Sequence, residues 1–488
     1  MMRPTDRTIL ALAGLSALAL ATTAAAQTRK EIPKIGDPPE ALNMRLVGHN
    51  DLQGRTAYQP TIVRQGSRYI AYIGHHGAAG GKKLPNAVSG QDELNGTSVV
   101  DVTDPKNPKY IAHIPGAPGD GEAGAAQMTR VCGGAQLGKG DPNKFYLLRA
   151  FGRDGHEIFD VTDPAHPKVL SRLLGMTDTH KNYWECEGGI AYLVSTPPGW
   201  RARMVQVYDL SDPAKPVHIR DFSLVGQQPG ATGAVPPAIH GLVSNGPKGN
   251  RIYLAYGTNK GGIIQIVDRE KLLKGPKEPT PDNLLYPQVG RAEMLPLNGG
   301  HTAFPLGKFK IPEFAHEKEG QERDMVLVVS ETFREECGEP RQMVWFLDAT
   351  IEAKPQFVAH WTVPEASGNF CARGGRFGSH SSNESFDPLY YGKLTFITFF
   401  NAGVRVLDIR NPYEPKEVAY FIPPITKATL PRCGVIGGQQ RCSNTVIQSN
   451  NAEVDDRGYI YIADRASTGL HIVELTGEAR AIAGLPPN

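Results

Sequence analysis

The chain has 488 residues, which is too long for one ordinary hydrophobic core unless the fold grows by adding repeated units. Charged residues make up 21% and apolar residues 40%, an ordinary globular composition, and the net charge is only +2. The chain therefore lacks the strong field expected of a protein that binds nucleic acid or a charged membrane surface, and we predict neither as a partner. The 54 Gly and 39 Pro residues indicate many turns.

The first 26 residues have the pattern of a secretory signal peptide. Two arginines precede an apolar run from Ile9 to Ala21, and the small residues at 24–26 suit cleavage. The run is short for a transmembrane span and no later run is longer, so we predict no stable membrane insertion, with an uncleaved anchor as the alternative. We expect an extended mature N-terminus over 27–45 and a periplasmic or secreted protein.

One phrase recurs along the rest of the chain: a short apolar strand, an acidic residue and, in the clearest copies, an Asp-Pro or Asn-Pro turn. The clear copies are VVDVTDP at 99–105, IFDVTDP at 158–164, VYDLSDP at 207–213 and VLDIRNP at 406–412. Looser copies without the turn lie at 265–268, 345–348 and 471–475. The seven copies are about 50 to 80 residues apart, which indicates a repeat architecture.

Each unit contains more than the phrase. An apolar run precedes it, as at 144–148, and another follows the turn, as at 109–112. In the first unit, apolar runs on both sides of Gly66 indicate a β-hairpin. About four short strands in each of seven units predict an all-β, seven-bladed β-propeller over 46–488, with an array of β-sandwiches as the alternative. We predict that the longest insertion, 271–300, is a surface loop.

The Asp-Pro turn has a local physical reason. Asp can accept a hydrogen bond from the backbone two residues on, and Pro presets φ for the turn. We therefore interpret the turn as a structural corner that carries no chemistry of its own.

The four clear copies of the phrase, each followed by a second Pro, resemble the LVIVD-repeat family. The resemblance covers most of the mature chain as a repeat. It implies a β-propeller in an exported or cell-surface bacterial protein, and it implies no reaction. The three looser copies depart from the family's pattern because they lack the Asp-Pro turn.

Six cysteines, an even number, fit three disulfides in an exported protein. Cys433 and Cys442 flank a Gly-rich loop and are the best-supported pair, although six cysteines allow fifteen pairings. Elimination then suggests the pairs Cys132 with Cys186 and Cys337 with Cys371. No CxxC pair occurs, which argues against a zinc ribbon or a thioredoxin-type redox site.

Function has to be sought in particular side chains, because propellers host many unrelated activities. The segment before each hairpin should be the innermost strand, which lines the channel. In units three to six this segment contains a histidine, namely His180, His240, His301 and His380. The other units offer amides there, namely Gln59, Gln127 and the pair Asn450 and Asn451. Four of the 14 histidines at one phase exceed our chance expectation, so we predict that they converge on the channel axis.

Two interpretations of this ring stay open. Neutral imidazole is a common ligand of Cu, Zn, Fe and Ni, so the ring can be a metal site, with copper or zinc as the candidate ion and Gln59, Gln127 and Asn451 as ligand-binding amides. Alternatively, the histidines satisfy backbone groups in a wet channel. His75 and His76, in a Gly-rich loop, are a weaker candidate pair at the channel mouth.

These observations favour an exported propeller that binds a small molecule or a partner protein at its channel and loop face. The alternative is a metal-dependent oxidoreductase that uses the histidine ring. The selenium-binding and methanethiol oxidase group is an analogy for it that rests on architecture and histidine use alone. A hydrolase or lyase is a third option. The chain contains no GxSxG elbow, Walker loop, HExxH motif or dinucleotide fingerprint.

Overall fold

Antiparallel strands dominate the structure and form seven small sheets, the blades, around one channel. The computed structural model describes residues 28–311, 322–436 and 439–488, and over 432–444 it describes only the backbone. The innermost strands of consecutive blades contact one another around the whole ring. The predicted seven-bladed propeller is confirmed. The predicted signal peptide lies outside the described residues.

Blades 1 to 3 follow two leading strands in chain order. The leading strands are β1 (Glu40–Leu42) and β2 (Met44–Asn50). Blade 1 and its small hairpin comprise β3 (Ala57–Gln65), β4 (Arg68–Gly77), β5 (Leu84–Asn86), β6 (Gln91–Glu93), β7 (Gly96–Asp101), β8 (Lys109–Pro115) and β9 (Gly121–Ala126). Blade 2 comprises β10 (Thr129–Gly133), β11 (Phe145–Phe151), β12 (Gly155–Asp160) and β13 (Lys168–Leu174). Blade 3 comprises β14 (Asn182–Glu185), β15 (Ile190–Ser195), β16 (Met204–Asp209) and β17 (Val217–Phe222).

Blades 4 to 6 repeat the same meander. Blade 4 comprises β18 (Ile239–Ser244), β19 (Arg251–Tyr256), β20 (Ile263–Asp268) and β21 (Gln288–Glu293). Blade 5 comprises β22 (Thr302–Lys310), β23 (Glu322–Val329), β24 (Val344–Asp348) and β25 (Gln356–Trp361). Blade 6 comprises β26 (Ser381–Ser382), β27 (Leu394–Thr398), β28 (Val404–Asp408) and β29 (Lys416–Ile422), and β1 adds a fifth strand beside β29.

Blade 7 joins the two ends of the chain. Its inner three strands are β32 (Ser449–Val454), β33 (Tyr459–Asp464) and β34 (Gly469–Leu475), and they follow a separate hairpin of β30 (Pro431–Ile436) and β31 (Gln439–Thr445). Its outer strand is β2, which pairs antiparallel with β34. The predicted extended N-terminus of 27–45 is therefore partly built into the propeller, and backbone hydrogen bonds between the chain's two ends close the ring.

Helices are short and lie between strands. They are α1 (Gly246–Gly249), α2 (Arg269–Lys274), α3 (Pro281–Leu285), α4 (Phe370–Arg373) and α5 (Gly477–Ala483). Single 3-10 turns occupy Leu52–Gly54, Ala79–Gly81, Gly134–Gln136 and Glu365–Ser367. Within the described ranges, no helix has the length and apolar character needed to cross a membrane. The prediction of a surface loop over 271–300 was wrong, because most of α2, all of α3 and the outer strand of blade 4 fall there.

The repeated phrase forms the third strand of each blade and the turn after it. Asp101, Asp160 and Asp209 end β7, β12 and β16, and each carboxylate accepts a hydrogen bond from the backbone N–H two residues on, at 2.8–3.0 Å. Asp348 and Asp408 do the same in blades 5 and 6. In the Asp-Pro turns themselves, Asp104, Asp163 and Asp212 also accept from the backbone N–H two residues on, at 3.0–3.1 Å. The hydrogen bond predicted for the turn is confirmed.

The turn also contacts the preceding blade. The Ser171 hydroxyl of blade 2 donates to the carbonyl of Pro213, in the turn of blade 3, at 2.8 Å. A Cβ built on Gly48 of β2 would overlap the carbonyl oxygen of Pro105, in the turn of blade 1. The corner that the phrase encodes is thus an inter-blade contact as well as a chain reversal.

Apolar residues on both faces of the middle strands pack between blades. In β11, Leu147 packs with Tyr72 and Val99 of blade 1, whereas its neighbour Leu148 packs with Leu193 of blade 3. Successive side chains of a strand point to opposite faces, so a strand covered on both faces is apolar throughout. This explains the continuous apolar runs ahead of each copy of the phrase.

Two disulfides tie neighbouring blades together. Cys132 of blade 2 is bonded to Cys186 of blade 3, and Cys337, in the loop between β23 and β24 of blade 5, is bonded to Cys371, in α4 before blade 6. Both pairs suggested by elimination are confirmed. The pair Cys433 and Cys442 lies outside the described side chains, although the two residues are directly opposed in the backbone register of β30 and β31.

We predict that Gly48→Ala destabilises the closed ring. A methyl group at this position has to displace the Pro105 carbonyl, and such overpacking costs roughly 1–3 kcal/mol of unfolding free energy. Urea denaturation followed by circular dichroism measures the change. Gly138→Ala is the matched control, because nothing lies within 4 Å of the Cβ it would add. Equal stability of the two variants would contradict the closure contact.

Candidate metal centre in the channel

The four predicted histidines meet at one level of the channel. His301 and His380 immediately precede β22 and β26, His180 lies two residues before β14, and His240 is the second residue of β18. All four are at least nine-tenths buried. The equivalent start of four consecutive inner strands therefore places four imidazoles side by side.

The imidazoles form a continuous arc. Ring centroids are 4.6 Å apart for His180 and His240, 4.0 Å for His240 and His301, and 4.4 Å for His301 and His380. The Nε2 atoms of His180 and His240 are 2.8 Å apart. The four imidazoles are thus brought into direct contact.

Glu331 brings a carboxylate to the same arc. It lies two residues beyond β23 and is 3% exposed. Its Oε2 is 3.8 Å from Nε2 of His240 and 3.9 Å from Nε2 of His301, and its Oε1 is 3.7 Å from Nε2 of His380. The ligand atoms of His240, His301 and Glu331 all lie within 4.8 Å of one another.

The other three blades complete the ring with different groups. The Tyr58 ring of blade 1 is 5.8 Å from His380 and 6.4 Å from His180, centroid to centroid. The Gln127 amide of blade 2 is 2.8 Å from Nδ1 of His180. The Asn450 carbonyl of blade 7 accepts a hydrogen bond from Nδ1 of His380 at 2.5 Å.

These contacts determine which imidazole nitrogens carry a proton and which present a lone pair to the arc. A carbonyl only accepts, so Nδ1 of His380 and Nδ1 of His240, which is 3.3 Å from the His301 carbonyl, each carry the proton. Their Nε2 atoms are then unprotonated in the neutral ring. That is the form in which imidazole binds a metal.

Burial keeps the imidazoles neutral. Burial lowers the pKa of His180, His240, His301 and His380 well below the ordinary value. Burial likewise raises the pKa of Glu331 to about 7, and the charge of Arg376 opposes that rise. The four imidazoles are therefore neutral at physiological pH whether or not an ion is bound.

Two buried nitrogens in the arc have no hydrogen-bond partner among the residues that the structure describes. They are Nε2 of His301 and Nε2 of His380, and the Glu331 carboxylate close to both makes no hydrogen bond to either. A buried polar atom without a partner costs roughly 1–3 kcal/mol. The donor set, neutral imidazoles with one carboxylate, suits a transition-metal ion.

The three predicted ligand-binding amides do not lie together at the histidine arc. Gln127 contacts the arc through His180. Gln59 and Asn451 instead pair with each other at 2.7 Å, and Asn451 also donates to the Ser381 hydroxyl. Tyr58, and not Gln59, lies beside the histidines, because the side chain of the following residue points to the other face of the strand.

A buried charge cluster adjoins these amides. The Gln59 amide donates to Glu453 at 3.3 Å, Glu453 accepts from the backbone N–H of Glu384, and Glu384 pairs with Arg130. Burial, with the nearby charge of Glu384, raises the pKa of Glu453 to about 8.

A cavity of about 330 Å³ opens over the arc, and we call it the vestibule. Its lining includes Glu122, whose Oε2 is 3.7 Å from Nδ1 of His180, and Arg376, whose Nη1 is 3.4 Å from Oε1 of Glu331. His76 also lines it and packs on Tyr58 at 4.6 Å. His75 turns away to bond the Thr56 carbonyl and the Ser98 hydroxyl, so the predicted histidine pair does not act together.

Sequence reasoning missed Glu331, Phe400 and Arg465, which occupy equivalent positions in blades 5, 6 and 7. They follow the ends of β23, β27 and β33 by one or two residues. The second strand of a blade runs antiparallel to the innermost one, so its end lies beside the start of the inner strand. The strand that precedes each copy of the phrase recurs in every unit, so the repeat could have located the residues at the end of that strand.

Comparisons with known proteins assign the chain to no family. No family model matches the chain, and no curated protein matches it. Among solved structures it is similar to Raptor from Chaetomium thermophilum, with a TM-score of 0.48 and 10% identity over 93% of this chain and 29% of that chain. The chain thus spans less than a third of that protein's length, and no argument rests on this likeness.

We predict that Glu453→Gln stabilises the protein at alkaline pH. Because the folded pKa lies above that of an unfolded glutamate, the stability linked to this proton is present at low pH and is lost as the pH rises toward about 8. The variant should exceed the wild type by at least about 1 kcal/mol near pH 8.5, and the difference should have disappeared near pH 4, below the unfolded pKa, in urea denaturation. Glu270→Gln, which removes an exposed carboxylate paired with Lys274, should show no such divergence. A variant no more stable than the wild type at alkaline pH would refute the prediction.

Proposed function

We propose that this chain is an exported β-propeller that binds a transition-metal ion in its central channel. The ion is held by His240, His301 and Glu331, with His180 and His380 as further ligands. The observation that carries the proposal is that the ligand atoms of His240, His301 and Glu331 lie within 4.8 Å of one another in a buried site.

The unpartnered nitrogens favour an ion over a purely structural ring. In a ring that only satisfies backbone groups, each inward nitrogen would have a donor or acceptor. His301 and His380 instead leave Nε2 without one, and both nitrogens face Glu331. A cation among them would satisfy both lone pairs and the carboxylate together.

The donor types favour copper over zinc. Neutral imidazole nitrogens and a carboxylate suit both ions, and a given nitrogen and oxygen site generally binds Cu²⁺ more tightly than Zn²⁺.

A metal-dependent oxidoreductase is the second candidate, and the vestibule favours it over a closed storage site. The cavity is large enough for a small molecule and reaches residues that contact His180 and Glu331. Copper supplies one-electron chemistry when bound. The chain's own residues would position the substrate and shield the ion from bulk water.

Export is supported by the disulfides. Cys132 with Cys186 and Cys337 with Cys371 are bonded, and structural disulfides persist in oxidising compartments such as the periplasm. Together with the signal-like first 26 residues, they favour a periplasmic or secreted location.

We predict stoichiometric copper binding that depends on the arc. Purified protein stripped with chelator and titrated with Cu²⁺ and Zn²⁺ should take up one ion per chain, with copper bound more tightly. His240→Ala and Glu331→Gln should each weaken binding by at least about tenfold to a hundredfold, since even residues behind the ligands contribute that much. Elemental analysis gives the stoichiometry, and nitrogen hyperfine structure in the copper EPR spectrum identifies imidazole ligands.

The control is His166→Ala, which removes an exposed histidine in the turn of blade 2. It should bind copper like the wild type. Failure of the wild type to bind either ion, or an equal loss in the control, would overturn the metal proposal.

We predict that the mature protein begins at Gln27. Intact-mass measurement of protein expressed from the full chain in a secreting bacterial host should show loss of residues 1–26 and, without reductant, fully oxidised cysteines. An intact N-terminus in the exported fraction would contradict cleavage.

A further inference from the structure

Two arginines that line the vestibule pack against one aromatic ring. The Cζ atoms of Arg376 and Arg465 are 5.5 and 5.4 Å from the centroid of Phe400. The same ring packs on His380 at 4.9 Å. Both guanidinium groups therefore lie against the ring that packs on the arc.

Each arginine also contacts a side chain that lies beside the histidine arc, either Glu331 or Tyr58. Arg376 donates through Nη1 to Glu331 and to the Thr332 carbonyl. Arg465 lies 5.6 Å from the Tyr58 ring centroid, and only 6% of its surface is exposed. Because both side chains line the vestibule, an anion bound there can contact both guanidinium groups.

Donor capacity remains at Arg376. A guanidinium has five N–H donors, and among the described residues this one makes side-chain hydrogen bonds through Nη1 alone. Its Nε is buried, 3.8 Å from Glu335, so Nη2 carries the donors that remain for a ligand. The fork of donors suits a carboxylate or another planar oxyanion.

Two acidic residues line the vestibule together with the two arginines. Glu122 is directed at His180, at 3.7 Å, and Asp120 is exposed. Arg376 and Arg465 are the cationic side chains of this lining, so they are the groups that would hold an anion.

We infer that the vestibule binds a small organic carboxylate, held by Arg376 and Arg465 with its remaining atoms facing the histidine arc. This names the substrate class of the proposed metal centre and rests on the proposed function. At about 330 Å³ the cavity is at the small end of ligand pockets, which excludes a large substrate.

The test starts with metal-free protein, so that carboxylate binding is separated from metal binding. Trifluoroacetate and acetate are titrated, with choline as a cationic probe, and binding is followed by fluorine NMR and calorimetry. The carboxylates should bind and choline should not. Arg465→Gln should weaken the carboxylates by roughly tenfold, and Arg465→Lys should restore part of the affinity.

Arg291→Gln is the matched control, because it removes the same charge from an exposed pair with Glu293 in blade 4. It should leave affinity unchanged. If the wild type binds no carboxylate, binds choline better, or loses affinity equally in the control, the inference is overturned. Folding of each variant is checked by its circular dichroism melting curve.

A second measurement places the ligand relative to the arc. With Co²⁺ loaded at the proposed site, bound trifluoroacetate should show enhanced fluorine relaxation in the wild type, and the enhancement should disappear in Arg465→Gln. Carboxylate binding without any metal uptake would overturn the metal proposal and leave this inference standing. Metal uptake without carboxylate binding would do the reverse.

Discussion

The backbone hydrogen bonds between β2 and β34 close the ring of blades, and the position of every channel side chain depends on that closure. A propeller without it would leave β34 as an open edge of blade 7 and would lose the contact of Gly48 with the Pro105 turn of blade 1. Each blade is stabilised on both faces by its neighbours, so the blades cannot shift independently. The histidine arc exists because seven strand starts are held at one level around a common axis.

The recurring phrase contributes to that constraint at each inter-blade boundary. Its strand supplies apolar residues to both faces of the blade, and its turn contacts the preceding blade, as Pro213 does at Ser171. The disulfide between Cys337 and Cys371 adds a covalent link where it matters for the site, between the loop after Glu331 and the helix before His380. The phrase therefore acts on the site through position, since none of its residues lies in the arc.

The sequence predicts the features of the fold and the site that recur from blade to blade, and it does not predict those that occur once. The blade count, the strand order and the convergence of His180, His240, His301 and His380 were predictable, because each is tied to a recurring pattern. Closure by β2 was not, since a single strand at the start of the chain has no repeat to mark it. Glu331 was missed because its position beyond the second strand holds unlike residues in different blades. The error at Gln59 was one of register, since a shift of one residue exchanges channel and blade faces.

The choice between a metal site and a hydrogen-bonded channel depends on the amide orientation of Gln127. With its nitrogen toward Nδ1 of His180, that imidazole is protonated on Nε2 and donates to His240, a complete hydrogen bond with no ion. The same orientation leaves Oε1 of Gln127 buried without a partner. Rotating the amide lets Oε1 accept from Nδ1, satisfies that oxygen and presents the Nε2 lone pair of His180 to the arc. One side chain outside the ligand set thus connects the two interpretations, with His180 joining the ligands only in the second.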